Sequence, residues 1–459
     1  QLSGNVLGLE GGLVALLLTL SLSTVIAKVV GALNMPSRYR TAVLAATLLT
    51  LVSRSAFLHT EAFYPDYRVH ALVQQTLSRL GLSTFLDQLF EIQYARSLGL
   101  QQIDGNWYPF PYPPGAYVLA DGVGRVFGLD PLDAATVTAV IFASLMPVLT
   151  LAVGLSLGLG PAVGVAGAIY VSLHPLLLRR MALGYYPGLA GQFVDVLALL
   201  LLLAVLRRRE GSLVRAAWLS GALVAAFLVY TQSIANFGLL IAGLMVLEAV
   251  RRSEGGRTGI LRVAIAGVLA LLASVGAFYW RYVPVFENVE NHRTQPESRV
   301  LDRLEQARER LQSVSEAPEA DDLNDPYAGS TLNPFRGIAR LSSRLWRFNG
   351  PFVLLLAIGG WLLFRQSDRP IQNLILAWGA VALWISILAA GLPSPNGFQH
   401  LKDLEFVTPL AALAMGLATV RLRGRHRTAA IALGAAWIAF AGAAFAKEWT
   451  ERLLNLAGR

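Results

Sequence analysis

The segment FYPDYRVHALVQQTLSRLG, residues 63–81, places Asp66, Arg68 and His70 within two helical turns of each other, directly after an apolar stretch. A carboxylate with an ordinary pKa of about 3.9 is ionised at neutral pH and can take a proton from an attacking hydroxyl group. Partial removal from water makes such a carboxylate a stronger base. Asp66 is therefore a candidate general base, and the alternative is a structural carboxylate paired with Arg68 or Arg79 along a helix.

Four prolines among aromatic residues mark the segment DGNWYPFPYPPGAY, residues 104–117. Proline lacks an amide donor and restricts the residue before it, so the pattern predicts a stiff, extended segment. This segment is either an interfacial anchor before a membrane span or the wall of a groove that binds a lipid or a sugar. The candidate groove residues are His70, Asp104, Tyr108, Tyr112, Tyr185, Tyr186 and His400.

The elements that must position these side chains are apolar. Of 459 residues, 55% are hydrophobic and 15% are charged, and the mean hydropathy is +0.53, well above that of a soluble globular protein. Segments long enough to cross roughly 30 Å of hydrocarbon predict an all-α polytopic membrane protein with about twelve transmembrane helices. The predicted spans are 10–33, 41–58, 134–155, 161–177, 187–206, 213–231, 233–250, 258–281, 349–364, 371–391, 405–420 and 428–446.

The placement of arginine predicts the orientation. Arginines collect in the loops after the first, fifth, seventh, ninth and eleventh spans, which alternation puts on one side, and the positive-inside rule makes that side cytoplasmic. The net charge of +9 is therefore typical of a plasma (inner) membrane protein and does not indicate a nucleic-acid partner. The absence of cysteine excludes disulfides, thiolate metal sites and a cysteine nucleophile. The chain begins at Gln1 on the outer side, which is consistent with a removed leader.

This topology divides the chain into five regions, two of which are large extracytoplasmic loops. The regions are the first two spans (1–58), a loop with juxtamembrane helices and Asp66 (59–133), a transmembrane bundle (134–281), a second loop (282–348) and a C-terminal bundle (349–459).

Both loops are predicted to contain helices. Residues 66–100 have the leucine spacing of an amphipathic helix with a break at 81–84, and this helix lies either in the membrane interface or against the spans. Residues 297–314 predict a charged surface helix. The acidic run 321–325 lacks the spacing of a calcium loop, so it is interpreted as solvated and no metal site is assigned.

The early carboxylate, the juxtamembrane helix, the segment YPFPYPPG and the late segment HLKDLEFVTPLAALAMG together resemble the GT-C superfamily of integral-membrane glycosyltransferases. The resemblance implies a polyprenyl-phosphate sugar donor, a glycan, lipid or protein acceptor, and transfer with inversion at the outer face. It implies no firm cofactor, with a divalent cation possible but not required.

The same resemblance assigns roles to individual residues. Asp66 matches the catalytic aspartate of the first external loop, and Lys402 stands where related enzymes carry a basic residue that meets the donor phosphate. Arg344, Arg347 and Arg281 are further candidates for that phosphate, because arginine holds phosphate oxygens by two-point contacts. The alternative role for such arginines is snorkelling at the membrane interface.

Two other functions remain open from the sequence. One is a non-catalytic GT-C-like subunit or lipid-binding scaffold with partners in a membrane complex. The other is a transporter, which Asp195 within the fifth span favours because an intramembrane carboxylate is costly, and which the two large external loops disfavour.

Overall fold

The computed structural model describes most of the helical bundle. The described residues are 35–57, 65–87, 102–103, 106–107, 113–184, 186–207, 213–251, 256–282, 334–391 and 399–457. The structural statements below refer to these residues.

The first half of the described chain consists of helices joined by short turns, with one small hairpin. Its elements are α1 (Ser37–Ser55), α2 (Pro65–Leu80), α3 (Leu82–Asp87), β1 (Gln102–Ile103), β2 (Asn106–Trp107), α4 (Gly115–Phe127), α5 (Pro131–Ser156), α6 (Pro161–Ser172), α7 (Pro175–Ala182) and α8 (Tyr186–Arg207). The two strands are antiparallel, with Gln102 opposite Trp107.

The second half contains long helices and two 3-10 turns, at Tyr279–Tyr282 and Gly350–Phe352. Its helices are α9 (Leu213–Val229), α10 (Gln232–Arg251), α11 (Gly256–Ala277), α12 (Pro334–Asn349), α13 (Val353–Gln366), α14 (Arg369–Gly391), α15 (Gln399–Arg425) and α16 (Arg427–Ala457).

The prediction of a helical, polytopic membrane protein is confirmed. Within the described residues, eight helical segments are long and apolar enough to span a membrane. They are Asp133–Ser156, Pro161–Ala182, Tyr186–Arg207, Gln232–Arg251, Thr258–Ala277, Leu341–Gln366, Leu404–Gly424 and Arg427–Glu451. A shorter apolar helix, Leu213–Val229, matches a further predicted span. The first predicted span, 10–33, lies outside the described residues, and the count of twelve stays a prediction.

Local sequence explains where several helices begin and end. The amphipathic helix predicted from residue 66 is divided at Gly81, between α2 and α3. The span predicted at 161–177 is broken between α6 and α7, where the His174 ring accepts a hydrogen bond from the amide of Leu176 at 3.3 Å. Pro175 follows as the first residue of α7, a position that does not need an amide donor.

The proline-rich segment differs from its prediction at its end. Helix α4 begins at Gly115, so Tyr117 belongs to a helix and is only 2% exposed, rather than lying extended at the headgroup level. The preceding prolines end at position 114, which leaves the rest of the segment free to form helical hydrogen bonds. The predicted helix 297–314 and the acidic run 321–325 lie outside the described residues.

Close contacts between small residues hold the central helices together. The main core joins α8, α9, α10, α14 and α15 and includes Trp378 and Phe406. Gly359 of α13 lies against the backbone of Ala414 in α15, and Gly416 lies against the amide of Gly167 in α6. In lipid the hydrophobic effect contributes little to helix association, because lipid tails are as apolar as the helix surfaces. Close packing of this kind therefore supplies much of the stabilisation of the helix bundle.

Candidate functional site

Polar contacts join four helices at one end of the bundle, which we call the site end. Arg54, at the end of α1, donates a hydrogen bond to the carbonyl of Ser172 at 3.3 Å. Arg179 of α7 is paired with Glu448 near the end of α16 at 3.0 Å. These contacts bring together the ends of α1, α6, α7 and α16.

A buried ion pair lies at the centre of this end. The Nε of Arg180 donates to Glu405 Oε1, and the side chains are 0% and 3% exposed. Charges removed from water in this way are costly unless they are paired and hydrogen-bonded. A Cβ at Gly188 would lie 2.6 Å from Arg180 Nη2, so a glycine in the first turn of α8 leaves room for the guanidinium.

Pro409 explains why a second polar residue joins this pair. A proline inside α15 cannot donate to the carbonyl four residues earlier, and its ring also displaces the neighbouring turn. The carbonyl of Glu405 instead accepts a hydrogen bond from Gln192 Nε2 at 2.8 Å. The carbonyl of Phe406 accepts one from Trp378 Nε1 at 2.9 Å. The proline thus ties α15 to both α8 and α14 at the level of the ion pair.

A small cleft lies beside the first turn of α8, between α2, α4, α5 and α8. His70 Nδ1 lies 2.7 Å from the hydroxyl of Tyr117, and Gln74 and Tyr186 also line the cleft. Its enclosed part holds about one water molecule. The cleft is therefore closed to a sugar in this conformation.

Polar contacts dock the juxtamembrane helix α2 against α4. Ser78 donates to Asp121 at 2.9 Å, and Asp121 is paired with Arg125 at 2.8 Å. Together with the contact between His70 and Tyr117, these bonds fix the position of α2, which carries Asp66 in its first turn.

The amphipathic helix α12 packs beside the start of α15. Leu341 and Phe348 of α12 share a buried cluster with Leu176 of α7 and Leu404 of α15. His174 Nε2 lies 3.3 Å from Oδ1 of Asn349, the last residue of α12. The helix that carries Arg344 and Arg347 thus meets the first turns of the helix that carries Lys402.

This arrangement of helices is similar to that of known membrane glycosyltransferases. The archaeal oligosaccharyltransferase AglB from Archaeoglobus fulgidus, solved with an inhibitory peptide and a dolichol-phosphate, superposes with a TM-score of 0.54 at 15% identity, covering 91% of this chain and 55% of that chain. The A. fulgidus oligosaccharyltransferase with Zn and sulfate gives a TM-score of 0.54 at 13% identity, covering 89% and 53%. The described helices share the fold of the membrane part of these oligosaccharyltransferases.

This chain spans about half the length of those oligosaccharyltransferases. ArnT from Cupriavidus metallidurans bound to undecaprenyl phosphate gives a TM-score of 0.49 at 17% identity, covering 85% of this chain and 61% of that chain. No family model matches the sequence, and no curated protein matches it. The resemblance inferred from the sequence is confirmed at the level of fold.

The structure brings two of the predicted groove residues together, since His70 and Tyr186 line the same cleft. Asp66 lies in the first turn of α2, and His400 and Lys402 lie in the first turn of α15. The side chains of these three residues are outside the described part, as are Asp104, Tyr108, Tyr112 and Tyr185. Their roles stay predictions.

The three candidate arginines occupy different surroundings. Arg344 is half-buried and Arg347 is exposed on α12, with the Arg347 guanidinium 6.0 Å from the ring centre of Phe348. Arg281 follows α11, donates to the carbonyl of Ala277 at 3.1 Å and stacks over Trp280 at 5.0 Å. Its contacts are local, so the geometry favours the two arginines of α12 over Arg281 for a ligand at the start of α15.

The turn that carries Arg281 is fixed by a buried tyrosine. The hydroxyl of Tyr279 donates to the carbonyl of Phe227 at 2.7 Å, and burial raises the pKa of Tyr279 to about 12. The phenol therefore remains a neutral hydrogen-bond donor throughout the physiological pH range.

Sequence reasoning did not find the pair between Arg180 and Glu405. Arg180 lies near the end of a predicted span, where an arginine is expected to reach the membrane interface, but its 0% exposure excludes that role. The available signal was Pro409 four residues after Glu405, because a proline in an apolar span leaves a carbonyl that needs another donor. The fully buried Arg54 was also missed.

In the part of the chain that the structure describes, no cluster of three or more His, Asp or Glu side chains could hold a metal ion. The side chains of Asp66, Asp104 and the acidic run 321–325 lie outside that part. The possible divalent cation of the sequence analysis therefore stays open.

Proposed function

We propose that this chain is a membrane glycosyltransferase that transfers a sugar from a polyprenyl-phosphate donor to an acceptor at the extracytoplasmic face. The observation that carries the proposal is the GT-C fold over about nine-tenths of the chain. One structural neighbour, AglB, was solved in complex with a dolichol-phosphate, which supports a lipid-phosphate donor here.

Asp66 is the general base in this proposal. Its carboxylate takes the proton from the acceptor as the acceptor oxygen or nitrogen attacks the anomeric carbon from the face opposite the phosphate. The bond between the anomeric carbon and the phosphate oxygen breaks, the polyprenyl phosphate leaves with the electron pair, and the sugar is inverted. The support is that α2, which carries Asp66 in its first turn, is hydrogen-bonded to α4.

In this proposal the donor phosphate binds where α12 packs against the start of α15. Lys402 supplies a positive charge in the first turn of α15, where the free amides of the helix also favour an anion. Arg344 and Arg347 approach on α12, which packs against Leu404. The buried pair of Arg180 and Glu405 then fixes the position of α15 relative to α7.

Transfer of a labelled sugar by the purified protein tests the proposal. A panel of polyprenyl-phosphate hexoses and pentoses is offered with glycan, lipid and peptide acceptors, and the parent is compared with Asp66→Asn. We expect transfer by the parent and a loss of at least about 100-fold in kcat for the variant, because a positioned general base contributes about 10²–10⁴-fold. Glu451→Gln, which neutralises an exposed carboxylate on α16, is the matched control and should retain parental activity.

Two results would count against the proposal in different ways. Equal rates for the parent and Asp66→Asn would keep the transferase and remove Asp66 from its mechanism. Absence of transfer across the panel, with tight binding of polyprenyl phosphate, would favour the non-catalytic scaffold.

A further inference from the structure

Helix α12 has a concentrated positive charge that is not balanced within the helix. It contains no acidic residue and four arginines, at positions 336, 340, 344 and 347. The intervals of four, four and three residues put these positions, which we call the arginine row, on one side of the helix. Elsewhere at the site end arginine is paired with a carboxylate, as in Arg179 with Glu448. The arginine row therefore invites an anionic partner from outside the helix.

The rest of α12 has one buried and one open side. Leu341 and Phe348 are buried against α7 and α15. Ile338 and Trp346 are 47% and 61% exposed, and Arg347 is exposed beside them. A helix with one buried side, exposed apolar side chains and a row of arginines has the pattern of a helix at a membrane surface.

The position of α12 in the chain places it at the boundary of the apolar region. Trp346 and Arg347 come shortly before the turn into α13, and the helical segment Leu341–Gln366 is apolar enough to span a membrane. On α13, Leu354 and Ile358 are 70% and 53% exposed, as expected for side chains that face lipid. Tryptophan is enriched where hydrocarbon meets the headgroups, and a long arginine side chain there reaches the headgroup phosphates.

The charge of α12 selects the kind of lipid. Each arginine close to an anionic membrane surface strengthens the interaction by a factor of about 5, and a zwitterionic surface offers no such gain. In the described part of the chain, the Arg347 guanidinium lies 6.0 Å from the ring centre of Phe348 and is not within ion-pair distance of a carboxylate. Its charge is thus available to a headgroup.

We propose that the arginine row and Trp346 form a docking surface for anionic phospholipids. The headgroup phosphates bind the arginine row, and an acyl chain packs against Trp346. The partner is the phospholipid of the bilayer and not the lipid-linked sugar donor, although Arg347 belongs to both proposals. The bound lipid holds α12 at the membrane surface beside the start of α15. This inference does not depend on the proposed transferase activity.

Quenching of tryptophan fluorescence by brominated lipids tests the surface. The full chain is placed in nanodiscs that contain increasing mole fractions of dibrominated phosphatidylglycerol or dibrominated phosphatidylcholine. The contribution of Trp346 is the difference between each protein and the same protein with Trp346→Phe. The quenching gives the binding constant of phosphatidylglycerol relative to phosphatidylcholine at Trp346, and we expect this ratio to be at least about 10 for the parent.

Substitutions in the arginine row test the role of its charge. Arg336→Gln, Arg340→Gln and Arg347→Gln together should lower the ratio to about 1, whereas the three corresponding Arg→Lys substitutions keep the charge and should keep most of the ratio. Arg125→Gln is the matched control, because Arg125 is an exposed arginine of α4 paired with Asp121, and it should leave the ratio unchanged. The Tm in phosphatidylcholine nanodiscs reports on folding. Should the triple glutamine variant fail to fold, Arg347→Gln alone should lower the ratio by about 5-fold.

Three results would overturn the proposal. A ratio near that of phosphatidylcholine itself in the parent, or an unchanged ratio in the glutamine variants, would indicate that an acidic protein segment covers the arginine row. Loss of the ratio in the lysine variant would show that positive charge is not what attracts the lipid. Recovery of Trp346 fluorescence on addition of equimolar polyprenyl phosphate would assign the surface to the sugar donor. Absence of sugar transfer would leave these measurements unaffected, so the two proposals fail independently.

Discussion

Removing one partner of the buried pair should destabilise the protein far more than removing both. In Glu405→Gln, the Arg180 guanidinium loses its counter-charge in a position where the two side chains are 0% and 3% exposed. Breaking a buried pair in this way costs about 3–5 kcal/mol. Replacing both partners by apolar residues, in Arg180→Met with Glu405→Leu, removes the buried charges together and should restore most of that stability.

An ion pair on the surface provides the reference for the loss of unfolding free energy. Lys447 and Glu451 are one helical turn apart at 3.6 Å, with side chains 63% and 37% exposed. Pairs of this kind contribute about 0–1 kcal/mol, because water screens the charges. The structure therefore predicts that Glu405→Gln costs at least about three times as much as Glu451→Gln.

The assay is a double-mutant cycle on the free energy of unfolding, measured by SDS titration in mixed micelles and by the Tm in nanodiscs. The parent, Arg180→Met, Glu405→Leu and the double variant give the coupling energy, which we expect to be at least about 5 kcal/mol, because each single variant costs about 3–5 kcal/mol and the double variant costs little. A coupling near zero, with both single variants close to Glu451→Gln, would refute the reasoning. It would mean that water or lipid headgroups reach the pair and screen it.

Two further predictions concern close packing and the proline in α15. Gly359→Ala should lower the Tm strongly and reduce the yield of folded protein, because a Cβ at this position meets the backbone of α15. Gly360→Ala is the control and should be neutral, because a Cβ there meets nothing within 4 Å. Similar Tm values for the two variants would contradict the predicted helix contact. Gln192→Leu should cost about 1–3 kcal/mol by leaving the carbonyl of Glu405 unpaired. In a Pro409→Ala background the restored amide should reduce that cost, and an equal cost in both backgrounds would show that the proline is not the cause.

Sequence patterns were sufficient for the class of protein because they depend on neighbouring residues. A run of apolar residues long enough for a bilayer predicts a span wherever it occurs, and eight described helices fit that criterion. The break near Gly81 and the end of the span before Pro175 follow equally from local backbone chemistry. The GT-C resemblance rested on short motifs in segments that flank these spans.

The sequence does not predict in the same way which side of each helix packs against protein. Apolar residues are not concentrated on one side of α8 or α15, so periodicity does not tell which side meets protein and which meets lipid. Arg180 and Glu405 are 225 positions apart, and nothing in the sequence around either residue identifies the other as its partner. Only the packing of α7, α8 and α15 decides that an arginine at a span end is buried in a pair instead of reaching water.

The sequence by itself thus determined that the chain is a helical membrane protein with polar chemistry at the ends of its spans, because hydropathy and proline act locally. The tertiary structure decided which of those polar residues meet. It placed His70 with Tyr117, Arg180 with Glu405 and Asp195 with Ser233 and Asn236. In an apolar interior each buried polar group must find a partner on another helix, and only the arrangement of the helices determines which partner lies within reach.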